Sequence, residues 1–363
     1  MKIISDSQGI ELALQWASKG LFTTTPNPRV GCVIVKDNQV IGEGYTQPAG
    51  QAHAEAQALN DAAGRGFDVR GATVYVTLEP CSHYGRTPPC ADALIRAGVA
   101  KVVFAVSDPN PLVAGQGAMK LRAAGIEVVS GVLEQEAREM NIGFMSRMQR
   151  GRPWVRMKAA ASLDGKTALH NGQSQWITSE AARADGHWWR ARACAIMTGI
   201  GTVQEDDPQL TVRAIDTSRQ PRRIVVDSQL QISPAARVLD GGGTWIVAAR
   251  GNPAKEAQLR DQGAEIIILP NAQGKVDLPA LMMELGKRQI NELHVEAGVK
   301  LNGSLVRERC VDELLLYMAP SLLGDAQGVF NLPVLDSLEQ RQLLSFHEVK
   351  QIGPDLRILA RFI

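Results

Sequence analysis

The strongest constraint on this chain is a spaced set of metal-donor side chains: His53-Ala54-Glu55, then Pro80-Cys81, then Cys90 after eight intervening residues. One imidazole and two thiolates suit a catalytic zinc whose fourth position is left to water, because structural zinc sites normally close with four protein ligands. Zinc lowers the pKa of that water towards neutrality. The glutamate two residues after the histidine is then placed to shuttle protons rather than to ligate. Residues i and i+2 do not share a helix face. His53 and Glu55 therefore reach one pocket only from a first helical turn, which the preceding Gly50-Gln51 loop permits. Each cysteine is expected in or beside a loop before a helix, whose positive end favours thiolate. The competing reading is two buried structural cysteines near an unrelated helix start. His-x-Glu alone is a weak signal. Its combination with Pro-Cys, a second cysteine and a predicted strand just before them points to zinc.

The surrounding pattern supplies an α/β framework for such a site. Ile10, Leu14 and Ala17 mark an opening amphipathic helix. Two strand-like runs, 30–35 and 40–45, flank Asp37-Asn38, which is read as a hairpin turn. Helices are expected over 53–63, 91–97 and 116–124, and strands over 73–78, 101–106 and 126–129. A long helix over 134–149 ends at Gly151 and Pro153, which places a domain boundary there: 1–150 and 151–363. Strand and helix patterns then alternate again to the C-terminus, closing on a strand pair around Gly353-Pro354.

Composition narrows the class of protein. With 45% hydrophobic and 21% charged residues, the 363-residue chain has material for two cores. Lys plus Arg number 39 against 38 Asp plus Glu, a formal charge of +1, so no global field exists for a nucleic acid. Five widely spaced cysteines are an odd count that argues against a disulfide framework. No apolar run is long enough for a membrane span, and Asp6 and Glu11 interrupt any signal-peptide core. These features read as a cytoplasmic protein without membrane or nucleic-acid partners, expected to form a homo-oligomer.

The second half carries its own markers: Ala161-Ser-Leu-Asp-Gly165, Ser174-Gln-Trp-Ile-Thr178, Gly199-Ile-Gly-Thr-Val-Gln-Glu-Asp-Asp-Pro208, Leu210-Thr-Val-Arg213 and Val295-Glu-Ala-Gly298. Gly199 and Gly201 after an apolar strand let backbone approach a ligand, and Thr202 is read as opening a phosphate-binding helix. The loop Gly298 to Ser304 is read as a repeat of that arrangement. Neither is the six-residue glycine fingerprint of a dinucleotide Rossmann unit. Trp188-Trp189 reads as core.

The first-half motif resembles the H-x-E…P-C…C signature of the zinc-dependent cytidine deaminase superfamily. The run Thr77 to Cys90, Pro26-Asn-Pro-Arg-Val-Gly31 and Asp108-Pro-Asn-Pro111 are similar to the deaminase half of the bifunctional riboflavin-biosynthesis deaminase–reductases. The second-half motifs resemble the reductase half. That resemblance implies a cytidine-deaminase-like domain followed by a dihydrofolate-reductase-like domain that uses NADPH. The expected activities are zinc-dependent deamination of a phosphorylated diaminopyrimidine and reduction of its ribosyl group to ribityl. It implies zinc on His53, Cys81 and Cys90, with Glu55 catalytic. NADPH contacts would fall on Ala160, Trp176, Thr202, Asp206, Ser228 and Gly298, Val299, Lys300, Leu301, Asn302, Gly303 and Ser304. Substrate contacts would fall on Asn27, Arg86, Asp108 and Asn110 in the first half, and on Ser174, Arg190, Leu210, Arg213 and Glu296 in the second. Turn chemistry is the competing account of Asn27, Asp108 and Asn110, which neighbour prolines. Surface ion pairing competes for Arg190 and Arg213, although planar guanidinium forks suit a ribose phosphate. Trp176 has a core residue as its alternative. One departure stands out: many members carry histidine after the Gly44-Tyr45 pair, where this chain has Thr46. The rival reading is a nucleoside or tRNA-base deaminase with an appended ligand-binding domain, which the cysteine spacing and neutral charge disfavour.

Overall fold

A computed structural model describes residues 2–3, 5–82, 88–110 and 114–363. Contacts divide it into two compact units, Met1–Arg150 and Gly151–Ile363.

In the first unit, α1 (Asp6–Lys19) starts at Ser5, whose hydroxyl accepts from the Gln8 N–H, and it buries Ile10, Ala13 and Ala17. Strands β1 (Gly31–Lys36) and β2 (Gln39–Tyr45) form the expected hairpin. Asp37 and Asn38 both take left-handed φ values, 51° and 60°, as the tight turn requires. After α2 (Ala54–Gly64) come β3 (Thr73–Leu78), α3 (Cys90–Ala97), β4 (Lys101–Val106), α4 (Gln116–Ala123) and β5 (Glu127–Ser130). The sheet runs β2-β1-β3-β4-β5; β1 is antiparallel to both neighbours, and β3, β4 and β5 are parallel. Nearly every residue of β3 and β4 is buried, as befits strands covered on both faces. Gly31 is where α1 crosses the sheet. A Cβ there would lie 1.8 Å from the Ala13 carbonyl oxygen, so only glycine permits the approach.

The long helix expected over 134–149 is instead two, α5 (Glu134–Met140) and α6 (Ile142–Arg150), broken at Asn141. The Asn141 side chain leaves the helical pattern to hydrogen-bond the backbone of Arg29, accepting from its N–H and donating to its carbonyl.

The second unit begins with β6 (Trp154–Ser162), β7 (Lys166–Ala168), α7 (Glu180–Arg192), β8 (Ala195–Gly199) and α8 (Ile200–Asp206). It continues through β9 (Arg222–Val226), β10 (Trp245–Ala248), α9 (Pro253–Asp261), β11 (Glu265–Ile268) and α10 (Leu278–Lys287). Then come β12 (Glu292–Val295), α11 (Val299–Arg307), β13 (Glu313–Ala319), β14 (Gln327–Gly328), β15 (Leu344–Ile352) and β16 (Asp355–Phe362). Nine strands form one sheet in the order β11-β10-β9-β8-β12-β6-β13-β16-β15, parallel as far as β13 and antiparallel beyond. The β7–β14 pair, too short for a periodic signal, was not legible in the sequence. Residues 299–304, read as loop, lie inside α11, and Thr202 sits within the first turn of α8 rather than opening it. Among the described residues, no helix is long and apolar enough to cross a membrane.

Charge is buried where the central strands begin. Arg156 on β6 donates to Glu313 at 2.5 Å and to Glu292 at 3.1 Å, and its guanidinium lies 4.3 Å from the Trp189 ring. Arg192 and Arg361 complete the pairing of the two glutamates. Opposite it, Tyr317 donates to Asp185, which Arg357 grips with one hand while holding Glu348 with the other. Removing one member of a buried ion network leaves its partners desolvated, which costs about 3–5 kcal/mol. Arg156→Ala is therefore expected to lower the denaturant midpoint of the second unit by a corresponding amount, followed by tryptophan fluorescence. A change below about 1 kcal/mol, the scale of an exposed pair, would contradict this account.

Candidate metal centre and ligand site

The i, i+2 problem is solved by the helix cap. His53 is the N-cap of α2, in extended conformation, while Glu55 lies in the first turn and is 4% exposed. Cys81 follows β3 by three residues, and Cys90 is the first residue of α3. The ligand atoms of His53, Cys81 and Cys90 all lie within 4.8 Å of one another. The His53 Nδ1 is 3.7 Å from the Cys81 Sγ and 3.4 Å from the Cys90 Sγ, and the Cys90 N–H donates to the Cys81 sulfur at 3.3 Å.

Electrostatics divides the two thiols. Hydrogen bonding from Cys90, with help from His53, holds Cys81 down at about 4, whereas sharing with the Cys81 thiolate and burial push Cys90 far up. Its hydrogen bond with Cys81 raises His53. Burial, then the Cys81 charge, lifts Glu55 to about 7. A divalent cation that binds thiolates is the partner this donor set fits.

Two supporting residues escaped the sequence reading. Cys32 on β1 is a fully buried thiol raised by burial and by the nearby Glu55. Glu79, two residues before Cys81, is buried and accepts backbone N–H groups from Asp108, Gly115 and Ala118, tying the metal-ligand segment to the next loop. The Glu in the Leu-Glu-Pro-Cys run was its only signal. Asn27 is half-buried with its N–H donating to Thr24, and Asp108 accepts from the Asn110 N–H at 2.9 Å, an Asx turn. Thr46 is buried with its N–H on the Val30 carbonyl. Arg86 lies outside the described residues.

In the second unit the two glycine turns meet: the Thr202 hydroxyl accepts from the Gly298 N–H at 3.1 Å, and Leu301 packs over Gly199. Of the 298–304 run, Gly298 and Lys300 are exposed, Val299, Leu301 and Ser304 half-buried, and Asn302 and Gly303 buried. Gly303 serves internal packing, since a Cβ there would lie 2.1 Å from the Asn331 carbonyl oxygen. The Ser228 hydroxyl oxygen accepts from the Val276 N–H at 3.1 Å, so its proton is available to donate elsewhere. Trp176 is 69% exposed with the Arg183 guanidinium 4.5 Å from its ring centroid, which removes the core alternative. Trp189 is core as expected. Asp206 is exposed at the end of α8; Ala160 and Ser174 are half-buried.

Arg190 and Glu296 come together, but with each other. Arg190 donates to both Glu296 carboxylate oxygens, at 2.5 and 2.8 Å, and to the Thr211 carbonyl at 3.1 Å. Its fork is thus engaged by a carboxylate in this structure. Arg190 holds Glu296 well below the usual carboxylate range against the pull of burial. Three further residues join them without sequence warning. Lys158 has its ammonium lowered by burial and Arg190, His294 is buried 3.2 Å from Glu296, and His187 accepts from the Arg213 N–H. Burial, then Arg190 and Arg213, push His187 down to about 4. Arg213 is exposed, with long contacts to Gln209 and Thr211. The Leu210 side chain is 3% exposed within a core cluster, and its φ is 52°.

Comparison with known proteins gives a consistent picture. Residues 4–106 match the cytidine and deoxycytidylate deaminase zinc-binding region, and residues 153–358 match the RibD C-terminal domain. The riboflavin biosynthesis protein RibD of Escherichia coli is 47% identical over 97% of this chain and 98% of its own. That of Bacillus amyloliquefaciens is 43% identical over 96% and 94%. The structure of Acinetobacter baumannii RibD superposes with a TM-score of 0.91 at 42% identity, covering 99% of both chains. A diaminohydroxyphosphoribosylaminopyrimidine deaminase/5-amino-6-(5-phosphoribosylamino)uracil reductase from Thermotoga maritima gives 0.87 at 32%, again over 99% of both. With a zinc-binding deaminase region and a reductase domain in one polypeptide, this chain belongs to the RibD family, the bifunctional deaminase–reductases of riboflavin biosynthesis.

Proposed function

We propose that the first unit hydrolyses the C2 amino group of 2,5-diamino-6-ribosylamino-4(3H)-pyrimidinone 5′-phosphate, and that the second reduces the ribosyl group of the product to ribityl. The observation that carries this reading is the convergence of His53, Cys81 and Cys90 beside a buried Glu55. The rival of a nucleoside or tRNA-base deaminase loses ground to the full-length similarity to RibD proteins.

His53, Cys81 and Cys90 would hold zinc, which when bound supplies a Lewis acid that makes water a nucleophile at neutral pH. Glu55 does the proton work. Its carboxyl, lifted to about 7 by burial, can take a proton from water and hand it to the departing amine at physiological pH. The balance is one water consumed, a carbonyl formed at C2 and ammonia released.

In the second unit, bound NADPH supplies hydride, and the protein's task is orientation. Arg190 and His294 fix the Glu296 carboxylate as a charged acceptor beside the Lys158 ammonium. Arg213 and Lys158 provide positive charge for a phosphorylated substrate. The Ser228 hydroxyl is a donor suited to the 2′-phosphate of NADPH.

Two outcomes follow. Glu55→Gln keeps the shape but cannot shuttle protons, so ammonia release should fall by about 10²–10⁴-fold. Zinc content and NADPH oxidation on pre-deaminated substrate should be retained, and near-normal deamination by the zinc-loaded variant would remove Glu55 from the mechanism. Ser228→Asp should weaken NADPH more than NADH, because a carboxylate facing the 2′-phosphate costs on the order of a kcal/mol. Equal loss of both cofactors in a titration would show that Ser228 does not read that phosphate.

A further inference from the structure

We propose that Asn141 is a positioning residue for the deamination reaction, setting the Pro26-Asn27-Pro28 loop so that Asn27 meets the substrate; this rests on the reading of Asn27 as a substrate contact. Asn141 is 1% exposed. Its Oδ1 accepts from the Arg29 N–H at 2.7 Å and its Nδ2 donates to the Arg29 carbonyl at 2.9 Å. Both backbone groups of one residue, 112 positions away, are thus gripped by one amide, whose orientation the two bonds fix together.

The surrounding contacts make this a staple rather than a single tie. The Arg29 guanidinium donates to the Leu21 carbonyl at 3.0 Å and to the Met140 carbonyl at 3.1 Å. Arg147 on α6 reaches the Pro26 carbonyl at 3.4 Å. Asn27 lies between these anchors with proline on either side, so two rings restrict its neighbours' φ angles. Its own N–H is spent on Thr24. With the backbone so restricted, the direction of the Asn27 side chain follows from where Arg29 and Pro26 are held.

The loop also leads directly to the reacting centre. Two residues after Arg29, the Gly31 N–H donates to Thr77 on β3, the strand that delivers Cys81. Cys32, the next residue, is electrostatically coupled to Glu55. The helix pair that holds the loop lies beyond residues 4–106, the stretch matched by the deaminase zinc-binding region. Substrate positioning therefore draws on chain outside that region, and the break in the expected long helix falls at the residue that does it.

The test is a double-mutant cycle in the full-length, zinc-loaded enzyme with Asn27→Ala, Asn141→Ala and the pair. Ammonia release yields deaminase KM and kcat, and NADPH oxidation on pre-deaminated substrate is followed in parallel. Asn141→Ala is expected to raise deaminase KM about tenfold, the scale of a sub-ångström misplacement, with kcat, zinc content and reduction little changed. The double variant should be no worse than Asn27→Ala alone. A folded Asn141→Ala enzyme with unchanged KM, or additive effects in the pair, overturns the proposal while leaving Asn27 as a contact. An Asn27→Ala enzyme with unchanged KM overturns the contact itself, and the proposal with it. Should Asn141→Ala fail to fold, Arg147→Gln, which removes the guanidinium contact to the Pro26 carbonyl, takes its place with a smaller rise in KM expected and no rise contradicting it.

Discussion

Two sulfurs and an imidazole nitrogen lie within 4.8 Å of one another, and the two sulfurs cannot both be thiolates at that distance without a compensating positive charge. That constraint organises the first unit. The charged form of Cys81 depends on hydrogen bonds from Cys90 and His53, and the burial of Glu55 beside them makes its carboxyl titrate near neutrality. The scaffold serves to bring the groups together: a helix cap for His53, the end of β3 for Cys81 and the start of α3 for Cys90. Cys32 is a buried thiol close enough to Glu55 to feel its charge, and Glu79 ties the Cys81 segment to the next loop.

The second unit solves a different problem, orientation of a cofactor and a sugar phosphate on a parallel sheet. Its two glycine turns are joined by a hydrogen bond from the Gly298 N–H to the Thr202 hydroxyl. The Arg190–Glu296 pair holds a carboxylate in one geometry and in its charged form. The two basic residues of β6 have different surroundings. Arg156 is locked among Glu313, Glu292 and Trp189 at the strand starts, where it supports the sheet. Lys158, on the same strand, has its ammonium destabilised by burial and favoured by the charge of Glu296.

Much of this was legible in the sequence because it is local. Strand-like runs marked the strands, Asp37-Asn38 marked the hairpin, and Ile10, Leu14 and Ala17 marked the first helix. The metal donors were legible because their chemistry restricts residue type and their spacing restricts elements. What stayed hidden is long-range. Nothing near Asn141 announces that its amide grips Arg29, and without that contact residues 134–149 read as one helix. Arg190 carries no mark of its partner Glu296, 106 positions away. Lys158 and His294 look like alternating strand residues until neighbouring strands set what they face. Gly303 shows the same limit in reverse: a glycine in a ligand-binding run whose lack of a Cβ answers to Asn331.

The central claim is that one polypeptide carries a metal-dependent deamination on His53, Cys81, Cys90 and Glu55 and a separate, metal-independent reduction in the second unit. Removing zinc from the purified enzyme with a chelator and then restoring it tests this most directly, with ammonia release and NADPH oxidation on pre-deaminated substrate measured in the same samples. Ammonia release should vanish with the metal and return with it, while NADPH oxidation stays constant. Ammonia release that persists in the zinc-free enzyme would contradict the account, as would NADPH oxidation that falls and recovers with the metal.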